Sequence, residues 1–168
     1  MKNIVLIGFM GTGKTTVGRR LSASLGYDFA DTDEYVKKCE KMPVFDIINK
    51  KGRKYFEGAE KFAVSVLSDK ENCVISTGGT CLWNEENRKV LEKNGYLVWL
   101  SADAETIYNN TVNSHNKRQE LTGLSLEEVK ELVKDREQHY EKCDFKVSVD
   151  GKSVSEIAEE IEKWVKSI

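Results

Sequence analysis

The sequence predicts an α/β protein, a parallel sheet covered by helices on both faces, and three observations predict it. Short β-rich runs recur at 4–7, 28–31, 73–76, 96–100 and 145–149, with helical patterns between them. Strands alternating with helices favour parallel pairing. The run Tyr96-Leu97-Val98-Trp99-Leu100 is continuously apolar, as a strand covered on both faces should be. A glycine-rich stretch, GFMGTGKTT from Gly8 to Thr16, joins the first strand to the first helix.

The elements follow in order. After strand 4–7, Val17, Leu21 and Leu25 recur at four-residue spacing and predict a helix over 14–25. Strand 28–31 ends in Asp31, followed by Thr32 and Asp33. The pairs Phe62/Val66 and Ala63/Leu67 predict a helix over 57–67. Strand 73–76 runs into Gly78-Gly79. Beyond strand 96–100, the segment 109–123 is polar with almost no apolar period, which predicts a lid or binding loop. Leu126, Val129, Leu132 and Val133 stripe another helix, and Ile157, Ile161, Trp164 and Val165 a last one.

The chain of 168 residues holds one proline and no linker-like or repeated stretch, so a single domain over 1–168 is expected. The net charge of -2 offers no basic excess for nucleic acid. No apolar run approaches the ~20 residues of a membrane span, and the apolar run after Met1-Lys2-Asn3 is shorter than the ~7–15 residues of a signal-peptide core. Cys39, Cys73, Cys81 and Cys143 form no Cys-x-x-Cys pair, so reduced, mostly buried thiols are expected rather than a structural zinc site. A cytoplasmic monomer is the expectation.

The glycine-rich stretch carries the chemistry. Gly8, four residues, then Gly13-Lys14-Thr15 match the phosphate-binding loop pattern between strand and helix. Its backbone N–H groups and the helix N-terminus attract phosphate. Gly11, Thr12, Gly13, Lys14, Thr15 and Thr16 are therefore the candidate nucleotide contacts. Lys14 supplies a charge to the β- and γ-phosphates, and the Thr15 hydroxyl is placed to ligate Mg²⁺. Asn49-Lys50-Lys51-Gly52 and Asn116-Lys117-Arg118-Gln119 both lack the Asp of a guanine-reading Asn-Lys-x-Asp. The strand Cys73-Val74-Ile75-Ser76 ends without the acidic residue of a motor ATPase. A small-molecule kinase using ATP and Mg²⁺ is the class that remains.

Asp31 and Asp33 emerge at a strand's C-terminal end, where α/β proteins bind ligands. Asp31 suits a water-mediated Mg²⁺ contact. Asp33 either takes the acceptor's hydroxyl proton or simply caps a helix starting at Glu34. Gly78-Gly79 is either a plain turn or a place where backbone approaches a ligand. Arg136 continues the stripe Val129, Val133, Tyr140. A guanidinium there serves an internal ion pair or an anionic ligand. Arg118 is either a solvated loop charge or a group that closes over phosphates.

Taken together, GFMGTGKTT, Asp31-Thr32-Asp33, Ser76-Thr77-Gly78-Gly79, a lid arginine and a helix arginine resemble the shikimate kinase family through nearly the whole chain. The resemblance implies a nucleoside-monophosphate-kinase-like fold with a five-stranded parallel sheet. It implies transfer of the γ-phosphate of ATP to a ring hydroxyl of shikimate, giving shikimate 3-phosphate. It also implies Thr15 and Asp31 at Mg²⁺, Asp33 at the acceptor hydroxyls, Gly78 and Gly79 near the acceptor, Arg118 in the lid, and Arg136 on the acceptor carboxylate.

Three positions depart from the family pattern. Glu57 stands where the family has an arginine that holds the shikimate carboxylate. Thr80 replaces the third glycine, and Arg118-Gln119-Glu120-Leu121 replaces the lid's Arg-Pro-Leu-Leu. Two carboxylates facing each other repel by on the order of a few kcal/mol at an effective dielectric of ~20. Arg53 or Lys61, one helical turn either side, would neutralise Glu57, with Arg53 as a replacement anion contact. Alternatively Glu57 reads a cation, and the acceptor is a hydroxy-amino acid. A nucleotide-binding regulator that lost acceptor chemistry is a further alternative. The adenine is expected near the turn at 150–153.

Overall fold

The computed structural model describes residues 1–112 and 121–168. Its centre is a five-stranded parallel sheet in the order β2-β3-β1-β4-β5, formed by β1 (Asn3–Ile7), β2 (Asp28–Asp31), β3 (Cys73–Ser76), β4 (Gly95–Ser101) and β5 (Phe145–Ser148). All four strand pairs are parallel. β1 lies in the middle and is buried along its whole length. Asn3 ties its start to the segment before β3: its side chain donates to the Ser68 and Lys70 carbonyls and accepts from the Cys73 N–H.

The helices are α1 (Lys14–Leu25), α2 (Thr32–Glu40), α3 (Val44–Lys51), α4 (Arg53–Ser68), α5 (Glu85–Asn94), α6 (Ala104–Val112), α7 (Leu126–Glu137) and α8 (Val154–Val165). None among the described residues is long and apolar enough to cross a membrane. α1 and α8 pack on one another. α2, α3 and α4 enclose a smaller core of Val36, Ile47, Phe56 and Ala63.

Register brings the site together. Asp31 lies opposite Ser76, and Ser76 opposite Leu6. The C-terminal ends of β2, β3 and β1 therefore finish level, and the loops after them share one edge. Thr77 secures this edge, since both its N–H and its hydroxyl donate to the Leu6 carbonyl.

Four sequence expectations need correction. The helix placed at 57–67 begins at Arg53, so Glu57 sits in its second turn. Its buried face runs through Phe56, Glu60, Ala63, Val64 and Leu67, and Phe62 is exposed. A buried carboxyl interrupts the apolar period and hid where the stripe continues. The first part of the polar segment 109–123 is the end of α6. Asn110 there donates to the Gly11 carbonyl at 2.9 Å, so its polarity serves a contact with the phosphate loop. Finally, Cys73 and Cys81 are buried, but Cys39 is exposed and Cys143 half-buried.

Candidate active site

The loop from β1 to α1 forms the floor. Gly8 has φ +144, and a Cβ there would meet the Leu100 carbonyl oxygen at 2.5 Å, so the first motif position needs glycine. Gly13 caps α1 with φ 84 and offers no side-chain cap. The first N–H groups of α1 are thus left without a side-chain acceptor, the arrangement that receives an anion. Lys14 is buried, and its ammonium donates to the Gly8 and Phe9 carbonyls at 2.7 and 2.9 Å. Those bonds hold the charge over the loop.

Thr15 and Asp31 meet across the gap between α1 and β2. The Thr15 hydroxyl donates to Asp31 Oδ2 at 2.8 Å, which turns the Thr15 oxygen's lone pairs outward. The other Asp31 oxygen, Oδ1, accepts from the Glu34 N–H and caps α2. The cap expected of Asp33 is therefore supplied by Asp31. Asp33 lies in the first turn of α2, with its carboxylate against Gly78. A Cβ on Gly78 would meet Asp33 Oδ1 at 2.5 Å, so the absence of a side chain there gives Asp33 its place.

The loop after β3 is held from both sides. The Gly78 N–H donates to Thr32 Oγ1 at 2.9 Å, and the Tyr140 hydroxyl donates to the Gly79 carbonyl at 2.8 Å. Gly78's N–H is thus committed to Thr32. Thr80 has φ -111, a conformation open to any residue, so losing a glycine there costs the backbone nothing. Its carbonyl accepts from the Trp83 N–H.

One cavity of about 660 Å³ is lined by the candidate donor residues Gly11, Thr12, Gly13, Lys14, Thr15 and Thr16, and by Asp31, Asp33, Gly78 and Gly79. Asn110 and Thr111 of α6 also line it. The turn expected near the adenine contributes Gly151 and Lys152. The structure therefore brings the phosphate loop, both aspartates and the glycine pair to one space.

Glu57, Thr80 and Arg136 stand outside that lining. Arg136 is half-buried. It continues the inward stripe of Val129 and Val133, and its guanidinium lies 4.6 Å from the Trp83 ring centre and 5.4 Å from that of Phe9. Glu57 is more than half exposed, and Arg53 Nε lies 3.9 Å from its carboxylate. Lys61, the other candidate partner, pairs with Glu86. Arg118 and Gln119 lie outside the described residues.

Sequence reasoning missed several groups. Glu60 is buried, and its Oε2 is the one buried side-chain oxygen or nitrogen without a hydrogen-bond partner among the described residues. Burial, then the charge of Asp33, pushes its carboxyl up to about 8, against an opposing pull from Arg53. The nearest sequence signal was its place at i+4 from Phe56 and i−3 from Ala63. Buried Arg88 was equally hidden, in the strongly polar α5. It donates to Glu92 and to the His139 and Lys142 carbonyls, and so fixes the segment that carries Tyr140. Cys81 is driven well above its ordinary value by burial, with Glu60 and Asp33 adding to the effect, so its thiol stays neutral beside the site.

This fold and site define a phosphate-loop kinase of small hydroxylated molecules. The family model for shikimate kinase matches residues 10–166. The shikimate kinase of Pelotomaculum thermopropionicum is 42% identical over 99% of this chain and 96% of its own length. The crystal structure of shikimate kinase from Aquifex aeolicus has a TM-score of 0.86 at 38% identity, covering 98% of this chain and 96% of that one. That from Acinetobacter baumannii, in complex with shikimate, has a TM-score of 0.91 at 27% identity, covering 99% and 94%. The chain belongs to the shikimate kinase family.

Proposed function

We propose that this protein transfers the γ-phosphate of ATP to a ring hydroxyl of shikimate, yielding shikimate 3-phosphate and ADP, as a cytoplasmic monomer. The observation that carries this reading is the shared cavity. Lys14 and the α1 N-terminus stand on its donor side, and Asp33 beside Gly78 on its acceptor side. The acceptor's hydroxyl oxygen forms a bond to the γ-phosphorus as the bond to the ADP oxygen breaks. Asp33 takes the hydroxyl proton. Lys14 and the loop N–H groups stabilise charge on the transferring group, and Arg118 closes over it.

The residues fit Mg²⁺. One hydroxyl oxygen and one carboxylate, oriented by their own hydrogen bond, suit a small hard cation that keeps waters and shares the nucleotide's phosphates. Thr15 would bind it directly and Asp31 through water. Its chemistry when bound is neutralisation of phosphate charge.

The hydroxy-amino acid alternative rested on Glu57 facing the acceptor. The exposure of Glu57 and its pairing with Arg53 remove that motive, and nothing in the family favours the regulator. An ADP-release assay over shikimate, serine, threonine and homoserine tests the reading. Selective turnover of shikimate is expected. Turnover of an amino acid instead, or of none, overturns it.

A further inference from the structure

We propose that Tyr140 is a positioning residue for the acceptor and that buried Arg88 acts through it. Arg88 fixes the segment that carries Tyr140, and Tyr140 sets the glycine loop at the edge of the cavity. This rests on the shikimate reading and adds two residues to it, neither of which lines the cavity.

The loop after β3 needs support from outside. Gly78 and Gly79 line the cavity, and two consecutive glycines leave a backbone with little conformational preference of its own. Thr77 is tied to β1 and Gly78 to Thr32 of α2. Gly79 is tied through its carbonyl, which accepts from the Tyr140 hydroxyl at 2.8 Å. A peptide unit is planar, so this one bond also sets the direction of the Thr80 N–H. The loop in turn seats Asp33, whose Oδ1 would lie 2.5 Å from a Cβ on Gly78. A small shift of the loop therefore reaches the group that takes the acceptor's proton.

Tyr140 takes its place from Arg88. It follows α7 in an irregular segment, 138–144, and carbonyls past a helix end have no partner within the helix. The Arg88 guanidinium donates to the His139 and Lys142 carbonyls, on either side of Tyr140, and to Glu92 one turn along α5. Its side chain is only 9% exposed. A buried guanidinium gains little stability over an apolar side chain of similar volume, so its contribution here is geometry. Asn87, the residue before it, is buried as well and donates to the Cys81 carbonyl. Two adjacent side chains of α5 thus close one frame, Asn87 at the far end of the loop and Arg88 at the segment whose Tyr140 holds Gly79. The Tyr140 ring is buried 6.1 Å from the Trp99 ring, so Tyr140→Phe removes the hydroxyl and keeps the packing.

The test is steady-state kinetics and melting of the wild-type enzyme, Tyr140→Phe, Arg88→Met, Arg88→Lys and the double variant Arg88→Met/Tyr140→Phe. Tyr140→Phe is expected to lower kcat/KM for shikimate about fivefold, the loss of one hydrogen bond. The KM for ATP should stay within about twofold and the melting temperature nearly unchanged. Arg88→Met should reproduce this split between substrates, with Arg88→Lys between it and the wild type. Coupled residues are not additive, so the double variant should lose no more than the larger single change. Should Arg88→Met not fold, Arg88→Lys takes its place in the cycle. Unchanged kcat/KM for shikimate in Tyr140→Phe overturns the proposal while shikimate turnover stands. A matching rise in the KM for ATP marks a general loosening and also overturns it. Fully multiplicative losses in the double variant break the link from Arg88 to Tyr140 and overturn it too. If the wild-type enzyme phosphorylates no shikimate, the underlying reading fails and this inference with it.

Discussion

The donor and acceptor halves of the site are built in different ways. The phosphate loop at the centre of the donor half is backbone and one buried lysine, drawn from a single strand-loop-helix unit. Its geometry follows from glycine conformations, a helix N-terminus and two loop carbonyls that hold Lys14. The proposed acceptor half draws on Asp33 of α2 and the loop after β3, which line the cavity, and on Arg136 of α7, which stands outside that lining. That loop is held by Thr32, which accepts from the Gly78 N–H, and by Tyr140, which donates to the Gly79 carbonyl. Backbone geometry ties the donor half to local sequence. The acceptor half depends on where separate helices pack.

Perturbing each half should show the contrast. The largest effect is expected from Lys14→Met, which removes the side-chain charge of the phosphate loop. Turnover should fall by roughly 10³-fold or more, with melting temperature little changed. An activity loss under tenfold would mean that the loop's N–H groups suffice. Asp33→Asn should lower kcat by about 10²–10³-fold. Nucleotide affinity, read by calorimetry, should remain because Asp31 still orients Thr15. Loss of ATP binding would break the separation between the halves.

Arg136→Met should act on one substrate only. An increase of about 10–100-fold in the KM for shikimate is expected, with the KM for ATP within about threefold. A separate effect, on stability rather than turnover, concerns Glu60. An unfolded glutamate titrates near 4.5, and in the fold this one is pushed up to about 8, chiefly by burial. Between those values the native state holds the extra proton. The stabilisation it gives is full below about pH 4.5 and is lost as pH rises through about 8. The loss is on the order of a few kcal/mol at most. Urea unfolding between pH 5 and 9 should show that decline, and Glu60→Gln should flatten it.

The same division decides what the sequence made legible. The five strands were readable because parallel, doubly covered strands are short apolar runs, and the phosphate loop because its residues are contiguous. The glycine pair and both aspartates were readable because they sit at strand ends. α2, α3 and α5 were not. α5 buries Asn87 and Arg88 beside Leu91, which leaves no apolar period to detect. Glu60 was passed over for the same reason, as a carboxyl inside an otherwise apolar face. Arg136 was legible because it extends a visible stripe. The frame that joins Arg88, Tyr140 and Gly79 was not, since the three residues come from separate parts of the chain and only packing brings them together.

The central claim is that one cavity joins a nucleotide's γ-phosphate to an acceptor hydroxyl, so that phosphate is transferred rather than released to water. Phosphorus NMR of the enzyme with ATP, Mg²⁺ and shikimate reads this directly. The account predicts a new phosphomonoester resonance that grows in step with ADP, with little inorganic phosphate. ADP accompanied by inorganic phosphate alone, or by no shikimate-dependent change, would contradict it.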